Sequence, residues 1–328
     1  MNGYLFYRWF LTFWLLFVSQ AVNSGDWNKM HPLSPELITA ADLDGNGSGD
    51  LAIAFGLQYG MWIHKDSGAW IQLHPLSPKL ITAADLDGNG RSDLAVAFGP
   101  QYGMWIYKDN GEWIKFHPLS PELITAVDLE GNGRNDLAIA FGPQNGMWIY
   151  RDNGEWIKLH PLSPKLITGA DLDGNGRSDL AIAFGPQNGM WIYRDNGEWI
   201  KLHPLSPKLI TAADLDGNGR SDLVVAFGPQ YGMWIYRDSG EWIKLHPLSP
   251  ELITASDLDG NGRSDLAIAF GPQNGMWIYR DNGEWIKLHP LSPELITSAD
   301  QDGDGRYDLT IDFGVQGIWK YRVGLGGF

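Results

Sequence analysis

Residues Asp85 to Asp93 read D-L-D-G-N-G-R-S-D, and the first Asp of this stretch returns every 43 residues, at Asp42, Asp85, Asp128, Asp171, Asp214, Asp257 and Asp300. The segments between these points are almost letter-for-letter copies. A period of this length marks a repeat architecture, in which one supersecondary unit stacks on its neighbours to bury a shared core. The chemistry of the nonapeptide is therefore a property the chain holds seven times over.

Working outward from Asp85, each flank reads as β structure. Leu80-Ile81-Thr82-Ala83-Ala84 is apolar and runs straight into the acidic loop, which makes it a first strand. Leu94-Ala95-Val96-Ala97-Phe98 alternates large and small, so Leu94, Val96 and Phe98 share one face and the alanines the other. Gly99-Pro100-Gln101 ends this second strand. Met104 to Tyr107 gives a third, and Asp109-Asn110-Gly111 turns the chain into a fourth, Trp113 to Phe116. Asn-Gly between two apolar runs is a strong hairpin signal. The linker His117-Pro118-Leu119-Ser120-Pro121 then breaks the pairing, because proline cannot donate to a central ladder.

Four short antiparallel strands, repeated seven times, predict an all-β, seven-bladed β-propeller. The ends predict how it closes. The last repeat stops after its third strand, near Tyr321 and Arg322, while Gly25 to His31 is a fourth strand without a repeat of its own. The N-terminal strand is thus expected to complete the final blade and hide its edge.

Within the loop, short oxygen-bearing side chains recur at alternate positions of a tight turn, the arrangement that serves a hard cation wanting six to eight oxygen ligands. Positions 1, 3, 5, 7 and 9 are Asp42, Asp44, Asn46, Ser48 and Asp50 in the first copy and Asp85, Asp87, Asn89, Arg91 and Asp93 in the second. The third copy has Asp128, Glu130, Asn132, Arg134 and Asp136, and the fourth Asp171, Asp173, Asn175, Arg177 and Asp179. The remaining three are Asp214, Asp216, Asn218, Arg220 and Asp222; Asp257, Asp259, Asn261, Arg263 and Asp265; and Asp300, Asp302, Asp304, Arg306 and Asp308. Ser48 and the arginines are assigned by their backbone carbonyls. Glycines such as Gly88 and Gly90 allow the curvature. Plain turn-forming would explain Asp, Asn and Gly equally, but three carboxylates within nine residues repel one another unless a cation lies between them. An EF-hand is excluded by the β-type flanks and by Val96 where a bidentate Glu would stand. Up to seven calcium ions are expected, with a weaker third site where Glu130 replaces Asp. At ~1 mM calcium and a Kd of ~0.1 mM, each would stabilise the fold by ~1.4 kcal/mol, so the role is mainly structural.

D-L-D-G-N-G-R-S-D followed by L-A-V-A-F-G-P resembles the FG-GAP repeat family, also called VCBS repeats, seen in the β-propeller of integrin α subunits and in many secreted bacterial proteins. The resemblance covers all seven repeats, from about Trp27 to Tyr321. It implies a seven-bladed propeller with calcium in the hairpin between the first and second strands of each blade. Related fungal lectins carry sugar between blades, and integrin-like members bind proteins on the face opposite the metals.

The net charge of −15 belongs to the loops, which hold 22 of the 39 acidic residues. The remainder is mildly basic but too dispersed to suggest nucleic acid. Cysteine is absent, so neither disulfides nor thiolate metal sites support the fold. Residues 1–24 read as a secretory signal peptide, with Arg8 before the apolar run Trp9 to Val18 and cleavage expected after Ala21, leaving a propeller domain of 25–328. The run is short for a membrane anchor.

Up-and-down connectivity puts the acidic loops and Asn-Gly hairpins on one face of the ring, and the G-P-Q turns and H-P-L-S-P linkers on the other. His31, His74, His117, His160, His203, His246 and His289 fall on that second face, each expected to cap a linker backbone group through a ring nitrogen. The paired tryptophans, such as Trp105 and Trp113, are expected to be buried between blades, with sugar stacking as the alternative. The chain reads as a secreted, monomeric, noncatalytic binding module for a glycan or an extracellular protein. The other class, a propeller domain of an enzyme or a bare scaffold, finds no nucleophile elbow or unique histidine constellation.

Overall fold

The computed structural model describes residues 25–323. The leader assigned to residues 1–24 lies outside them. Seven four-stranded antiparallel sheets follow one another round a ring, each in simple order from first strand to fourth. Blade 1 spans residues 37–74, blade 2 80–117, blade 3 123–160, blade 4 166–203, blade 5 209–246 and blade 6 252–289. Blade 7 takes its three inner strands from 295–322 and its outer strand from Asp26–His31. That outer strand pairs antiparallel with Ile318–Arg322, setting Trp27 opposite Tyr321 and Lys29 opposite Trp319. The expected clasp is therefore present, and the ring is a seven-bladed propeller.

Packing between blades follows from the large and small faces of the second strand. Leu94, Val96 and Phe98 of blade 2 press on Ala41, Leu43, Ala52, Met61 and Ile63 of blade 1. The same pattern recurs, as where Leu180, Ile182 and Phe184 of blade 4 meet Val127, Leu129, Ala138, Met147 and Ile149 of blade 3. Alanine on one side makes room for a branched or aromatic residue on the other, so neighbouring blades interlock along their second strands. Every second strand is buried along its whole length, and the first strands lie side by side nearest the axis.

The hairpin between third and fourth strands uses three loop residues, with Lys108 N–H donating to Glu112 O (2.9 Å) and Gly111 N–H to Lys108 O (2.9 Å). Gly111 takes the positive φ (89°) while Asn110 does not. Gly103, closing the turn before the third strand, has φ 78°, and a Cβ there would stand 2.4 Å from His117 O. Among the described residues no helix is long and apolar enough to cross a membrane.

Candidate metal loops and inter-blade clefts

Each acidic loop is held first by its own backbone. In all seven copies the position-1 carboxylate accepts three loop amides: in the second, Gly88 N–H (2.7 Å) and Asn89 N–H (3.2 Å) donate to Asp85 Oδ1, and Gly90 N–H (2.8 Å) donates to Oδ2. The position-5 side chain accepts the amide of position 7, as Arg91 N–H to Asn89 Oδ1 (2.8 Å) and Arg306 N–H to Asp304 Oδ1 (2.9 Å). Gly88, at φ 74°, also receives the Arg134 side chain of the next blade, leaving no space for a Cβ. The arginines at position 7 thus reach sideways across the preceding loop. Successive loops are also bonded through their backbones, from Ser92 N–H to Asp42 O (2.7 Å) round to Gly49 N–H to Asp300 O (2.6 Å), which closes the circle.

The position-9 aspartates are the buried members. Asp50, Asp93, Asp136, Asp179, Asp222, Asp265 and Asp308 are almost wholly shielded from solvent. Burial pushes all seven carboxyls above the usual range, Asp265 to about 6. Burial prevails at Asp50 even though Lys65 Nζ lies 3.0 Å from it.

Two partners of these carboxylates escape the sequence reading. The first is a basic residue at the end of the third strand, reaching toward positions 3 and 9. Lys65 bridges Asp44 and Asp50 (3.0 Å each), Arg194 bridges Asp173 (3.2 Å) and Asp179 (2.7 Å), and Arg237 bridges Asp216 (3.7 Å) and Asp222 (2.6 Å). Lys108 pairs with Asp87, Arg151 with Glu130, Arg280 with Asp259, and Arg322 with Asp302. The second is a further acid in the adjacent hairpin. Asp66, Asp109, Asp152, Asp195, Asp238 and Asp281 each donate their backbone N–H to the position-9 carboxylate, at 2.9 to 3.1 Å. Both were available as signal, since Lys or Arg followed by Asp recurs in six repeats, with Arg322-Val323 in the seventh. The acidic loop and the hairpin do share one face, as Asn89 Nδ2 donating to Asp109 Oδ2 (3.2 Å) shows.

These contacts gather carboxylate oxygens within 4.8 Å of one another in Asp44, Asp50 and Asp66; Glu130, Asp136 and Asp152; and Asp173, Asp179 and Asp195. Asp257, Asp259 and Asp265, and likewise Asp300, Asp302 and Asp304, converge as the loop positions alone would have it. Asp44 Oδ1 and Asp87 Oδ1 are buried without a hydrogen-bond partner. Buried, partnerless carboxylate oxygens beside other carboxylates suit a hard divalent cation.

On the opposite face every linker histidine accepts a backbone amide. Leu76 N–H donates to His74 Nδ1 at 3.0 Å, and the other six histidines repeat the bond at 3.1 to 3.2 Å. A neutral ring with Nδ1 occupied this way carries its proton on Nε2. Burial holds all seven below the ordinary histidine range. The tryptophans depart from the expectation of burial. They are half-buried and line clefts between successive blades, because one ring face packs while the other meets open space. The cleft where blade 4 meets blade 5 is lined by His203, Leu205, Phe227, Tyr231, Trp234 and Trp242 and encloses about 410 Å³. Equivalent clefts form at His160 with Trp191 and Trp199, at His31 with Trp62 and Trp70, and at His289 with Trp319 and the clasp residue Trp27. The third-strand indole is fixed in place, Trp234 Nε1–H donating to Tyr231 O (3.0 Å) with Lys244 Nζ 5.6 Å from its ring centre.

Residues 171–225, which span two acidic loops, match the FG-GAP-like repeat. The chain is a seven-bladed β-propeller carrying an FG-GAP-like repeat, consistent with an integrin-α-like propeller. A comparison with curated proteins finds no match. Among solved structures the chain is similar to BBS1N, solved in complex with ARL6DN, with 16% identity over 93% of this chain and 97% of that one and a TM-score of 0.68. It is also similar to a lectin of Agrocybe aegerita that recognises non-reducing terminal N-acetylglucosamine, at 18% identity over 88% and 85% with a TM-score of 0.57. A third likeness is to virginiamycin B lyase from Staphylococcus aureus, at 15% identity over 92% and 99% with a TM-score of 0.59. At such identities the likeness is one of fold.

Proposed function

We propose that this propeller is an exported, calcium-stabilised, noncatalytic binding module that takes glycans into the clefts between its blades. The observation that carries the reading is the composition of those clefts. Each offers two indole faces, a phenylalanine and a neutral imidazole whose Nε2–H is left as a donor. Aromatic faces pack on the apolar faces of sugar rings, and a fixed donor supplies direction. Repetition favours binding over a single reaction centre, because several weak sites on one rigid ring gain through multivalency. The propellers of like fold include a lectin and a partner-bound protein as well as lyases.

In this reading the position 1, 3, 5 and 9 side chains hold calcium, joined by the hairpin aspartates. Calcium, when bound, supplies the positive charge that offsets the crowding of buried carboxylates. The chain's own Lys65, Lys108, Arg151, Arg194, Arg237, Arg280 and Arg322 already take part of that task, so in their presence calcium adds stability to a loop that is preformed. The leader supports export, and the mature chain acts as a monomer.

The test is a glycan array probed with the purified mature chain. Selective binding competed by the free sugar, and reduced when Trp234 and Trp242 are replaced by Ala, is the expected result. Absence of any glycan signal together with specific capture of one extracellular protein would replace the glycan by a protein ligand.

A further inference from the structure

We infer that the ring has one built-in joint, between blade 7 and blade 1, and that it parts there before any other pair of blades separates. Five positions that face the following blade are apolar in each of the other six repeats: Leu86, Ala95, Ala97, Ile106 and Ile114 represent them in blade 2. In blade 7 those five positions are Gln301, Thr310, Asp312, Lys320 and Asn28, and all five are polar. No other joint carries such a set. The apolar cluster at this joint keeps only Ile318 and Met30 from the blade 7 side, against Leu51, Ile53 and Phe55 of blade 1.

These polar groups find their partners chiefly inside blade 7. Gln301 Nε2 donates to Thr310 Oγ1 (2.6 Å), and Lys320 Nζ lies 2.7 Å from Asp308 Oδ2. Asp312 accepts Gly314 N–H (3.2 Å) from its own blade, and across the joint it accepts only the Ser34 hydroxyl (2.7 Å). Separation breaks the Gly49 N–H to Asp300 O bond, which has an equivalent at every joint, but it orphans little else and hydrates groups that water already suits, whereas at the other joints it would expose leucine, alanine and isoleucine in their place. A cavity of about 350 Å³, lined among others by Asn28, His64, Asp66, Trp70, Gln301 and Lys320, lies at this joint. At its lining His64 stands where each of the other blades has a tyrosine. The loop face is weaker here too: Ser48 stands where each other blade extends an arginine over its neighbour's loop.

The clasp strand and blade 1 remain linked through residues 32–36, so opening is a hinge motion and not a dissociation. The joint also crosses a cleft, since His31 and Leu33 stand against Phe55, Trp62 and Trp70.

Near-identical repeats make the molecule its own control. Hydrogen exchange on the full mature chain, resolved amide by amide, should show Gly49 N–H, whose bond to Asp300 O crosses this joint, exchanging at least tenfold faster than the amides of Ser92, Asn135, Ser178, Ser221 and Ser264, whose bonds cross other joints. Replacing the five residues by their counterparts (Asn28→Ile, Gln301→Leu, Thr310→Ala, Asp312→Ala and Lys320→Ile) should slow Gly49 to the common rate. Uniform protection across all seven joints in the native chain would overturn the inference without need of the variant. So would fast exchange confined to Trp27–Met30 and Ile318–Arg322, which would mean that the clasp strand merely frays.

Discussion

At the residue scale, the two most constrained groups are a glycine and a histidine. Gly103 combines φ 78° with a would-be Cβ contact of 2.4 Å to His117 O, whereas Gly111 has φ 89° and nothing within 4 Å. Gly111→Ala should therefore cost about 1 kcal/mol for backbone conformation alone, and Gly103→Ala distinctly more, roughly 2 to 4 kcal/mol. Urea denaturation of the two variants checks this, and equal costs would deny the close approach. The linker histidines set a pH dependence. Burial lowers their folded pKa below the ordinary 6.5, so the unfolded chain takes up protons first as pH falls. Their contribution to stability is complete above 6.5 and is lost below it, because protonating Nδ1 removes the bond from the leucine amide two residues on. His160→Gln and His203→Gln together should make the fall in melting temperature between pH 7 and 5 measurably shallower, while the other five linker histidines, His64 and the buried aspartates keep their own contributions to it. An unchanged slope would place the acid sensitivity elsewhere.

At the scale of elements, the N-terminal strand does two things at once. It supplies the outer strand of blade 7 and also carries Trp27 and His31, which belong to two different clefts. Deleting residues 25–31 should lower the melting temperature by on the order of 10 °C, through the exposed edge and the lost apolar contacts. If the clefts bind glycans as proposed, it should also reduce the number of sites by two in a saturation titration. A truncation that melts like the intact chain would show that blade 7 needs no clasp. Every strand of this ring was legible beforehand, because period-2 alternation and Asn-Gly turns are local signals, and the clasp followed from counting strands at the two ends. The basic residue at Lys65 and the hairpin acid at Asp66 were not read as site members, since they meet the loop only once the third strand has folded back over the second. The tryptophans were misjudged for a related reason. Sequence reports how apolar a side chain is, but the shape of the groove between two twisted sheets decides how much of each ring stays open.

At the scale of the whole molecule, the seven loops act together because each is bonded to the next in a closed circle. If the loops bind calcium as proposed, then at ~1 mM calcium and a Kd of ~0.1 mM seven independent sites would contribute on the order of 10 kcal/mol, which corresponds to a melting temperature on the order of 20 °C higher than in chelator. The pH dependence separates this from plain turns. In chelator the buried position-9 carboxyls favour the proton: Asp265, for example, titrates at about 6 folded against an ordinary 3.8. Such a group destabilises the fold at neutral pH, and the penalty is relieved as pH falls through 6 toward 3.8. In calcium the same carboxylates must be ionised to bind, so acidification releases the ion and stability falls. The histidine contribution is common to both conditions and cancels in the difference. The gap between the two melting curves should therefore be widest at pH 7 and narrow steadily toward pH 5, and magnesium should restore little of it. Replacing Asp85 and Asp93 by Ala should remove about one ion of the seven in isothermal titration while the other blades stay folded, because blades couple mainly to their neighbours. A gap absent at pH 7 would mean that the lysines and arginines at the third-strand ends balance these loops unaided and that calcium has no part in the fold, whereas one that keeps its width at pH 5 would mean that protons do not compete with the ion for these carboxylates.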